Sequence, residues 1–415
     1  MARGGSATLD RHESEQEDTS AEQEEAPKSP LRFLPFDGKA RSVAEWISVV
    51  VAIWIMITAV GSIGDGFSAA TGGQAEDLFA FAENPFVGLA IGVGATVLTQ
   101  SSSTSTAIVV GMVAGGLPLP IAIPILMGAN VGTTLTSTLV SLGAATDREQ
   151  FRRGFSAASV HDMYNLLAVM IFLPLEMMFG ILETVGTWFA ELTSGTDGGI
   201  VADVFTTFGD AVSALTDPGT ELIETAIMAL LPEMWGGIVM IIIGVALILL
   251  VIRFISMMLK TLLVGTAEKV FHSALGRGPI SGILAGTLIT VLVQSSSTTT
   301  SLAVPMAASG KFSIQKIYPY TVGANIGTTM TAMIAAFGLS GSERFAGLTA
   351  AAVHLFYNLF SATLIFAVPF LRPLPVKAAT ILGNLGAKNK LYVVAWVLGM
   401  FVALPALLIF LFAAF

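Results

Sequence analysis

The sequence has no cysteine and few charged residues. Charged side chains make up 12% of its 415 residues, whereas they make up about 25% of a soluble domain. The absence of cysteine excludes disulfide bonds, thiolate metal sites and a cysteine nucleophile. The low charge argues against an ordinary cytosolic enzyme, a nucleic-acid-binding protein or a disordered regulator. The first 42 residues are polar, so no N-terminal signal peptide is visible.

Apolar residues and glycine dominate the chain instead. It is 54% hydrophobic, contains 42 glycines and has a mean hydropathy of +0.78. Glycine is more frequent in membrane-spanning helices than in soluble ones. This composition predicts an all-α polytopic membrane protein whose partner is the lipid membrane and not a nucleic acid.

Long apolar runs follow an acidic N-terminal segment. Residues 1–42 cannot bury a core and are expected to form a disordered cytoplasmic tail. Seven later runs each approach the ~20 residues needed to cross a bilayer. These predicted spans cover residues 43–64, 119–143, 155–180, 234–258, 314–337, 347–368 and 391–414.

Two further apolar stretches, 85–116 and 279–309, are interrupted in the middle by polar residues. Their arms, such as 86–98 and 104–114, are too short to cross a bilayer. We therefore expect each stretch to form a re-entrant helical hairpin. Such broken backbone persists at membrane depth only where it is buried in protein or faces water.

The basic residues predict the orientation. With the N-terminus inside, 19 of the 20 Lys and Arg residues fall on the inner side and only Arg344 falls outside. Arg253 is assigned to an inner loop in this arrangement. The asymmetry follows the positive-inside rule. It predicts a multi-pass protein of the cell membrane, with a cytoplasmic N-terminus and an extracytoplasmic C-terminus.

Three motifs recur at a spacing of about 194 residues. They are QSSSTST at 100–106 with QSSSTTT at 294–300, GANVGTTLT at 128–136 with GANIGTTMT at 323–331, and VHDMYN at 160–165 with VHLFYN at 353–358. The matching order and gaps indicate a duplicated unit.

The duplication predicts the domain organisation. The two units cover 43–185 and 237–379, an extracellular linker covers 186–236, and a C-terminal span lies within 380–415. Each unit contains three spans and one hairpin, so the second unit is expected to be inverted relative to the first. Inverted repeats with broken helices are typical of secondary transporters, which bind substrate near the midplane where the repeats meet.

The QSSS clusters offer uncharged oxygen ligands. Each provides six hydroxyls and one amide within seven residues. If a half-helix begins at each hairpin tip, its free N–H groups and positive dipole end attract an anion. Packing between helices is the alternative role for a single Ser/Thr cluster, but two clusters at matching places in inverted repeats favour binding.

The hairpins and the GANxGTT segments lack charge. Residues 85–146, 279–310 and 317–342 contain no charged side chain, so no Arg or Lys is expected at the core. A bound oxyanion would then need co-bound cations to neutralise it. This argues for a cation-coupled anion carrier in which sodium offsets the substrate charge.

At these motifs the sequence resembles the type II sodium-dependent phosphate cotransporters. The resemblance rests on the paired QSSS and GANxGTT motifs and on the stretch DREQFRRGFSAASVHDMYN, and it covers roughly 43–380. It implies inward co-transport of inorganic phosphate with sodium, with both QSSS hairpins forming the shared site. Eukaryotic members have a large, disulfide-bonded, glycosylated outer loop. Here that loop is short and lacks both cysteine and a glycosylation acceptor, which implies a prokaryotic member.

Both clusters and the neighbouring motifs supply the predicted ligands. For phosphate they are hydroxyls and N–H groups of Ser101, Ser102, Thr104, Ser295, Ser296 and Thr298. For sodium they are Gln100, Ser103, Asn130, Thr133, Gln294, Ser297, Asn325, Thr328 and Asp162. No catalytic residue, no cofactor and no metal other than sodium is predicted.

Some of these residues have an equally strong structural alternative. Asn130 and Asn325 could be ligands or interhelical hydrogen-bonding groups. Asp162 is an acid inside a span without a counterpart in the other unit, so it is either a cation or proton site or simply solvated near the inner end. Two further i,i+4 pairs are expected to be structural. They are His161 with Asn165, and His354 with Asn358.

Three other functions compete with the sodium-coupled carrier. An anion channel would need a continuous polar path, often with charged rings, whereas two hairpins opening to opposite sides suggest gates. A serine hydrolase would need one activated nucleophile, which a doubled motif does not single out. A carrier for another oxyanion is the third. A homodimer is the candidate oligomeric state.

Overall fold

The computed structural model describes residues 29–33, 35, 38–194, 199–274 and 277–412. The predicted acidic tail therefore lies mostly outside the described residues. Within them the chain forms helices and turns and contains no strand. Together with the spanning helices below, this confirms the predicted all-α polytopic membrane protein.

The first half of the chain forms seven α-helices among the described residues. They are α1 Gly38–Thr71, α2 Ala75–Leu78, α3 Pro85–Thr99, α4 Ser102–Ala114, α5 Leu119–Gly132, α6 Leu135–Ser141 and α7 Arg148–Phe179. The predicted linker is itself largely helical. Its helices are α8 Ile181–Ser194 and α9 Gly199–Met228.

The second half repeats the pattern with a longer first helix. Its helices are α10 Glu233–Ala274, α11 Pro279–Val293, α12 Ser296–Ala308, α13 Ile314–Phe337 and α14 Gly341–Ala367. Three further helices follow, the last two joined by a π-helical turn over Gly399–Ala403. They are α15 Leu374–Lys388, α16 Leu391–Leu398 and α17 Leu404–Phe412.

Six helical segments of the described chain are long and apolar enough to cross a bilayer. They are Gly38–Thr71, Leu119–Ala144, Arg148–Phe179, Glu233–Leu263, Gly341–Ala367 and Leu391–Phe412. Each coincides with a predicted span. The remaining predicted span, 314–337, is the single 24-residue helix α13, which is long enough but carries more Thr, Tyr and Asn side chains.

The two broken stretches begin in similar ways. α3 starts with Pro85, after the Asn84 side chain accepts a hydrogen bond from Phe86 N at 3.0 Å. α11 starts with Pro279, after Gly278 at φ +121°. Proline is favoured at the first helical position because its missing N–H has no intrahelical partner there.

Glycine allows each of these helices to pack closely on its neighbour. A Cβ on Gly92 of α3 would overlap the Ile125 carbonyl of α5, and a Cβ on Gly286 of α11 would overlap the Tyr320 carbonyl of α13. Small residues at such crossings are the usual basis of close helix packing in membranes. Glycines at equivalent positions therefore allow the equivalent pair of helices to pack closely in both repeats.

The first helices of the two repeats, α1 and α10, pack along each other. Gly66 of α1 and Gly237 of α10 lie at their contact, where either Cβ would meet the other helix's backbone. The main cluster of buried apolar residues draws on both halves. The repeats therefore share one core instead of forming separate bundles.

The linker is tied to the second repeat by Arg344, the basic residue predicted on the outer side. Arg344 is 4% exposed, and its Nη1 lies 2.7 Å from Asp210 Oδ1 of α9. Its Nε also donates to the Leu339 carbonyl at 2.5 Å. The guanidinium thus holds α9 against the start of α14.

Candidate functional site

Each QSSS motif breaks a helix at its glutamine. α3 ends at Thr99 and α4 begins at Ser102, with Gln100 between them in the left-handed region at φ 55° and ψ 24°. Ser101 is extended and caps α4, because its Oγ accepts a hydrogen bond from Thr104 N at 3.2 Å. The helix therefore starts at the motif, as the sequence predicted.

The second break repeats this geometry. Gln294, at φ 51° and ψ 35°, separates α11 from α12, and Ser295 Oγ accepts from Thr298 N at 3.2 Å. Among the described non-glycine residues, only Gln100 and Gln294 have positive φ. That conformation costs roughly 1–2 kcal/mol outside glycine, and such strain clusters at functional sites.

The two glutamine side chains are held in the same way. Gln100 Oε1 accepts from Thr136 Oγ1 at 3.2 Å, and Gln294 Oε1 accepts from Thr331 Oγ1 at 2.8 Å. Each Nε2 donates to the backbone carbonyl three residues earlier. Each Oε1 keeps a second lone pair that can accept a further bond or coordinate a cation.

Both breaks line one cavity of about 410 Å³, which we call the central cavity. Residues 99–104 and 294–297 form its polar wall. The breaks touch where Ser102 Oγ and Ser296 Oγ lie 3.4 Å apart. α4 and α12 therefore begin side by side, and the free N–H groups and positive dipole ends of two helices meet there. This arrangement favours an anion.

The other wall of the central cavity belongs to α10. It consists of Leu249, Leu250, Ile252, Arg253, Ser256 and Met257. This wall is mainly apolar, so the polar groups of the cavity are concentrated on the two breaks and on Arg253 and Ser256.

Sequence reasoning missed Arg253. The prediction assigned it to an inner loop, although it falls within the predicted span 234–258, and expected no Arg or Lys at the core. The structure adds a basic group that this expectation did not consider, because the 42-residue helix α10 carries the exposed Arg253 to the wall of the central cavity. The expectation considered only the hairpins and the GANxGTT segments. A basic residue inside a predicted span is a functional candidate by default, and this rule would have found it.

The structure brings together only some of the predicted ligands. Those that line the central cavity are Gln100, Ser101, Ser102, Ser103, Thr104, Gln294, Ser295, Ser296 and Ser297. Thr298 contributes to the cap of α12 instead. The predicted sodium ligands away from the cavity wall are Asn130, Thr133, Asn325, Thr328 and Asp162.

Asn325 joins the VHDMYN motif of the other repeat. His161 Nε2 lies 2.7 Å from Asn325 Oδ1, and Asn325 Nδ2 donates to Asn165 Oδ1 at 2.6 Å. Since an amide oxygen can only accept, His161 Nε2 carries the proton. The predicted i,i+4 pair is therefore joined through an asparagine from the other repeat.

Asn130 makes the reciprocal contacts. Asn130 Oδ1 lies 2.9 Å from His354 Nε2, and Asn130 Nδ2 donates to Asn358 Oδ1 at 2.8 Å. Asn165 Nδ2 also donates to the Asn130 carbonyl at 2.7 Å. We call the six side chains the His–Asn network. They are His161, Asn165, Asn325, His354, Asn358 and Asn130.

The remaining predicted sodium ligands are separately placed. Asp162 is 1% exposed, and its Oδ2 accepts from Trp396 Nε1 at 2.9 Å, whereas its Oδ1 has no hydrogen-bond partner among the described residues. The buried Thr133 Oγ1 likewise lacks one in the described part of the chain. Thr328 Oγ1 donates to the Ala324 carbonyl at 3.0 Å.

Six candidate spanning helices, with a cavity lined by two helix breaks and by one of these helices, define a multi-pass membrane protein. Comparison with known protein families identifies the family to which it belongs. The model of the Na+/Pi-cotransporter family matches residues 55–192 and 247–370, one segment in each half of the duplication. The chain belongs to this family, which confirms the resemblance that the motifs predicted.

Curated relatives agree with this assignment. The chain is 31% identical to sodium-dependent phosphate transport protein 2A of Ovis aries, over 86% of this chain and 66% of the relative. It is 30% identical to protein 2A of Oryctolagus cuniculus, over 96% and 72%, and 29% identical to protein 2B of Homo sapiens, over 88% and 65%. The chain thus spans about two thirds of these relatives. No solved structure matches it.

Proposed function

We propose that the protein is a secondary active transporter that couples uptake of inorganic phosphate to sodium. One observation carries the proposal: two helix N-termini, each preceded by a Gln-Ser-Ser break, line the same cavity of about 410 Å³. The description of the family and the names of its relatives support sodium and phosphate as the transported ions. The chemistry of the cavity is compatible with both.

Phosphate binds at the starts of α4 and α12 in this proposal. Its oxygens accept hydrogen bonds from the free N–H groups and from the predicted hydroxyls, which form short charge-assisted bonds with an oxyanion. The contact between Ser102 and Ser296 supports a single shared site, since one ion there would reach both breaks. Each repeat thus supplies half of the ligands.

Sodium binds to neutral oxygens beside the phosphate. Hard cations prefer oxygen ligands, and Gln100, Ser103, Gln294 and Ser297 all line the central cavity. The free lone pairs of the two glutamine amides support this role. Asp162 is the proposed additional cation site, because one of its buried carboxylate oxygens has no partner among the described residues.

The transport cycle is proposed to be alternating access, with each pair of short helices re-entrant and the second repeat inverted. The reciprocal bonds of the His–Asn network support a two-fold relation between the repeats. The N-terminus is placed in the cytoplasm and the C-terminus outside the cell membrane. The two breaks then approach the cavity from opposite sides and act as gates.

Uptake into liposomes tests the function. The purified protein is reconstituted, and entry of radioactive phosphate is followed with an inward sodium gradient or an equal choline gradient. We expect phosphate to accumulate transiently above its external concentration with sodium and to enter slowly with choline. Uptake that ignores sodium, or that only approaches equilibrium as in an anion channel, would contradict the proposal.

A further inference from the structure

The central cavity contains one basic residue, Arg253. It lies 20 residues after Glu233, at which the spanning helix α10 begins, and its exposed side chain lines the cavity opposite the two QSSS breaks. All other residues that line this cavity are uncharged. Arg253 is thus the fixed charge of the cavity wall.

The surroundings of Arg253 leave its charge available. Its lining neighbours on α10 include Leu250 and Met257, which cannot accept a hydrogen bond from a guanidinium strongly. Within the described residues no carboxylate forms an ion pair with it, whereas Arg152, Arg153 and Arg344 each have one. A basic residue of a spanning helix that faces a cavity often serves a substrate or ion pathway.

We propose that Arg253 pairs directly with the transported phosphate and is the residue that makes the central cavity selective for anions. The inference rests on the proposed function. A guanidinium presents several N–H donors in a planar fork that suits two phosphate oxygens at once. Since the two helix N-termini and Arg253 line the same cavity, an anion there can be held by both.

Arg253 alters the charge balance of the central cavity. Sodium is not the sole positive charge near the phosphate, so phosphate binds without sodium, but more weakly. Removing Arg253 leaves the hydroxyls, the N–H groups and sodium. Loss of a charge-assisted hydrogen bond then weakens phosphate binding roughly 10- to 100-fold.

The absence of cysteine allows a test in a single protein sample. The Arg253→Cys variant contains a single thiol. This thiol can be modified with a positively charged aminoethyl methanethiosulfonate or a negatively charged sulfonatoethyl methanethiosulfonate. The thiolate attacks the sulfenyl sulfur, and methanesulfinate leaves. Binding of radioactive phosphate is measured before and after modification. Lys260→Cys is the control, because Lys260 is exposed on the same helix but does not line the cavity.

We expect Arg253→Cys to bind phosphate weakly, the positive reagent to restore binding and the negative reagent to abolish it. The control should match wild type under all conditions. Wild-type affinity in Arg253→Cys, or equal effects of the two reagents, would overturn the inference. If the wild type itself fails to bind phosphate in sodium, the proposed function fails instead.

Two further variants test the role of the charge if the Arg253→Cys variant misfolds. Arg253→Lys keeps the charge and should retain most of the phosphate affinity, whereas Arg253→Gln should lose it. Equal affinities in these two variants would overturn the role of charge. Their melting curves, followed by circular dichroism, show whether each variant is folded before binding is compared.

Discussion

Gln100 and Gln294 keep a side chain in a backbone conformation that glycine would adopt more easily. Both have positive φ, and both amide oxygens accept a bond from a threonine of the GANxGTTxT motif. The strain costs each position about 1–2 kcal/mol. A residue retained at such a cost at two equivalent positions indicates a task for the amide, and the task we propose is sodium coordination.

Two substitutions of Gln100 distinguish the role of the side-chain amide from the effect of the backbone strain. Gln100→Ala removes the amide and keeps the strain, whereas Gln100→Gly removes both. We expect both variants to need about fivefold more sodium for half-maximal uptake, the factor that corresponds to ~1 kcal/mol for one neutral interaction. The measurement is phosphate uptake against sodium concentration. Normal sodium activation in either variant would contradict the assignment of Gln100.

At the residue scale, the sequence predicts groups that lie within one motif better than groups that meet across the fold. The QSSS clusters were expected to begin helices if they lie at hairpin tips, and within them Ser101 and Ser295 cap helices. Arg253 was missed because no motif contains it and because only the fold shows that α10 forms the opposite wall. The partners of Asn130 and Asn325 could not be predicted either, since they belong to the other repeat.

Among the helices, glycine determines how closely the broken stretches pack. Gly92 faces the Ile125 carbonyl of α5, whereas Gly94, on the same helix α3, has open space around its Cβ position. The two residues therefore form a matched pair for substitution by alanine. The same intrinsic gain in helix propensity applies to both, so that any difference between them reports packing.

We expect Gly92→Ala to destabilise the protein by about 1–3 kcal/mol, the usual range for overpacking. Gly94→Ala should leave stability unchanged or raise it slightly. Unfolding in denaturant, followed by circular dichroism in detergent, measures both. Equal unfolding midpoints for the two variants would show that α3 and α5 are not in the contact described.

The His–Asn network joins α5 and α7 of the first repeat to α13 and α14 of the second. Asn325→Leu would leave His161 Nε2 and Asn165 Oδ1 without their partners. Hydrogen bonds in membrane proteins contribute on average about 0.6 kcal/mol each, and an unpaired buried group costs about 1–3 kcal/mol. The network should therefore contribute measurably to the free energy of unfolding.

We expect Asn325→Leu to lower the unfolding free energy by roughly 1–3 kcal/mol, and the exposed Asn384→Leu on α15 to change it little. Asn130→Leu should have a similar effect. The bond that joins the two halves of the network runs from Asn165 Nδ2 to the Asn130 backbone carbonyl, which Asn130→Leu keeps. The double variant should therefore lose about the sum of the two. A clear departure from additivity would show that the two halves are coupled through their side chains.

Element boundaries were predicted where composition changes sharply. The breaks after Thr99 and Val293 follow from a polar cluster within an apolar run. α9, over Gly199–Met228, and α15, over Leu374–Lys388, were not predicted as helices. α9 combines glycine, threonine, aspartate and Pro218, which all lower helix propensity. Its contacts with Trp54 of α1 and with Arg344 support it instead.

For the molecule as a whole, two repeats that share one core and one cavity explain why the motifs are doubled. The family match divides into the same two segments, 55–192 and 247–370. A site built from both repeats responds to any motion of one repeat against the other. Transport by alternating access needs this property, and it makes coupling between the ions the central claim.

That coupling has a thermodynamic signature. Phosphate at neutral pH carries between one and two negative charges, and Arg253 offsets only part of them. Bound sodium should therefore raise phosphate affinity, and by linkage phosphate must raise sodium affinity by the same factor. A coupling of ~1–3 kcal/mol, typical of linked sites, corresponds to about 5- to 150-fold.

The most direct test is calorimetric titration of phosphate into the purified protein in sodium buffer and in choline buffer of equal ionic strength. The account predicts phosphate affinity about 5- to 150-fold higher in sodium, with weak but measurable binding in choline. Equal affinities in the two buffers would contradict the claim that sodium and phosphate share the central cavity.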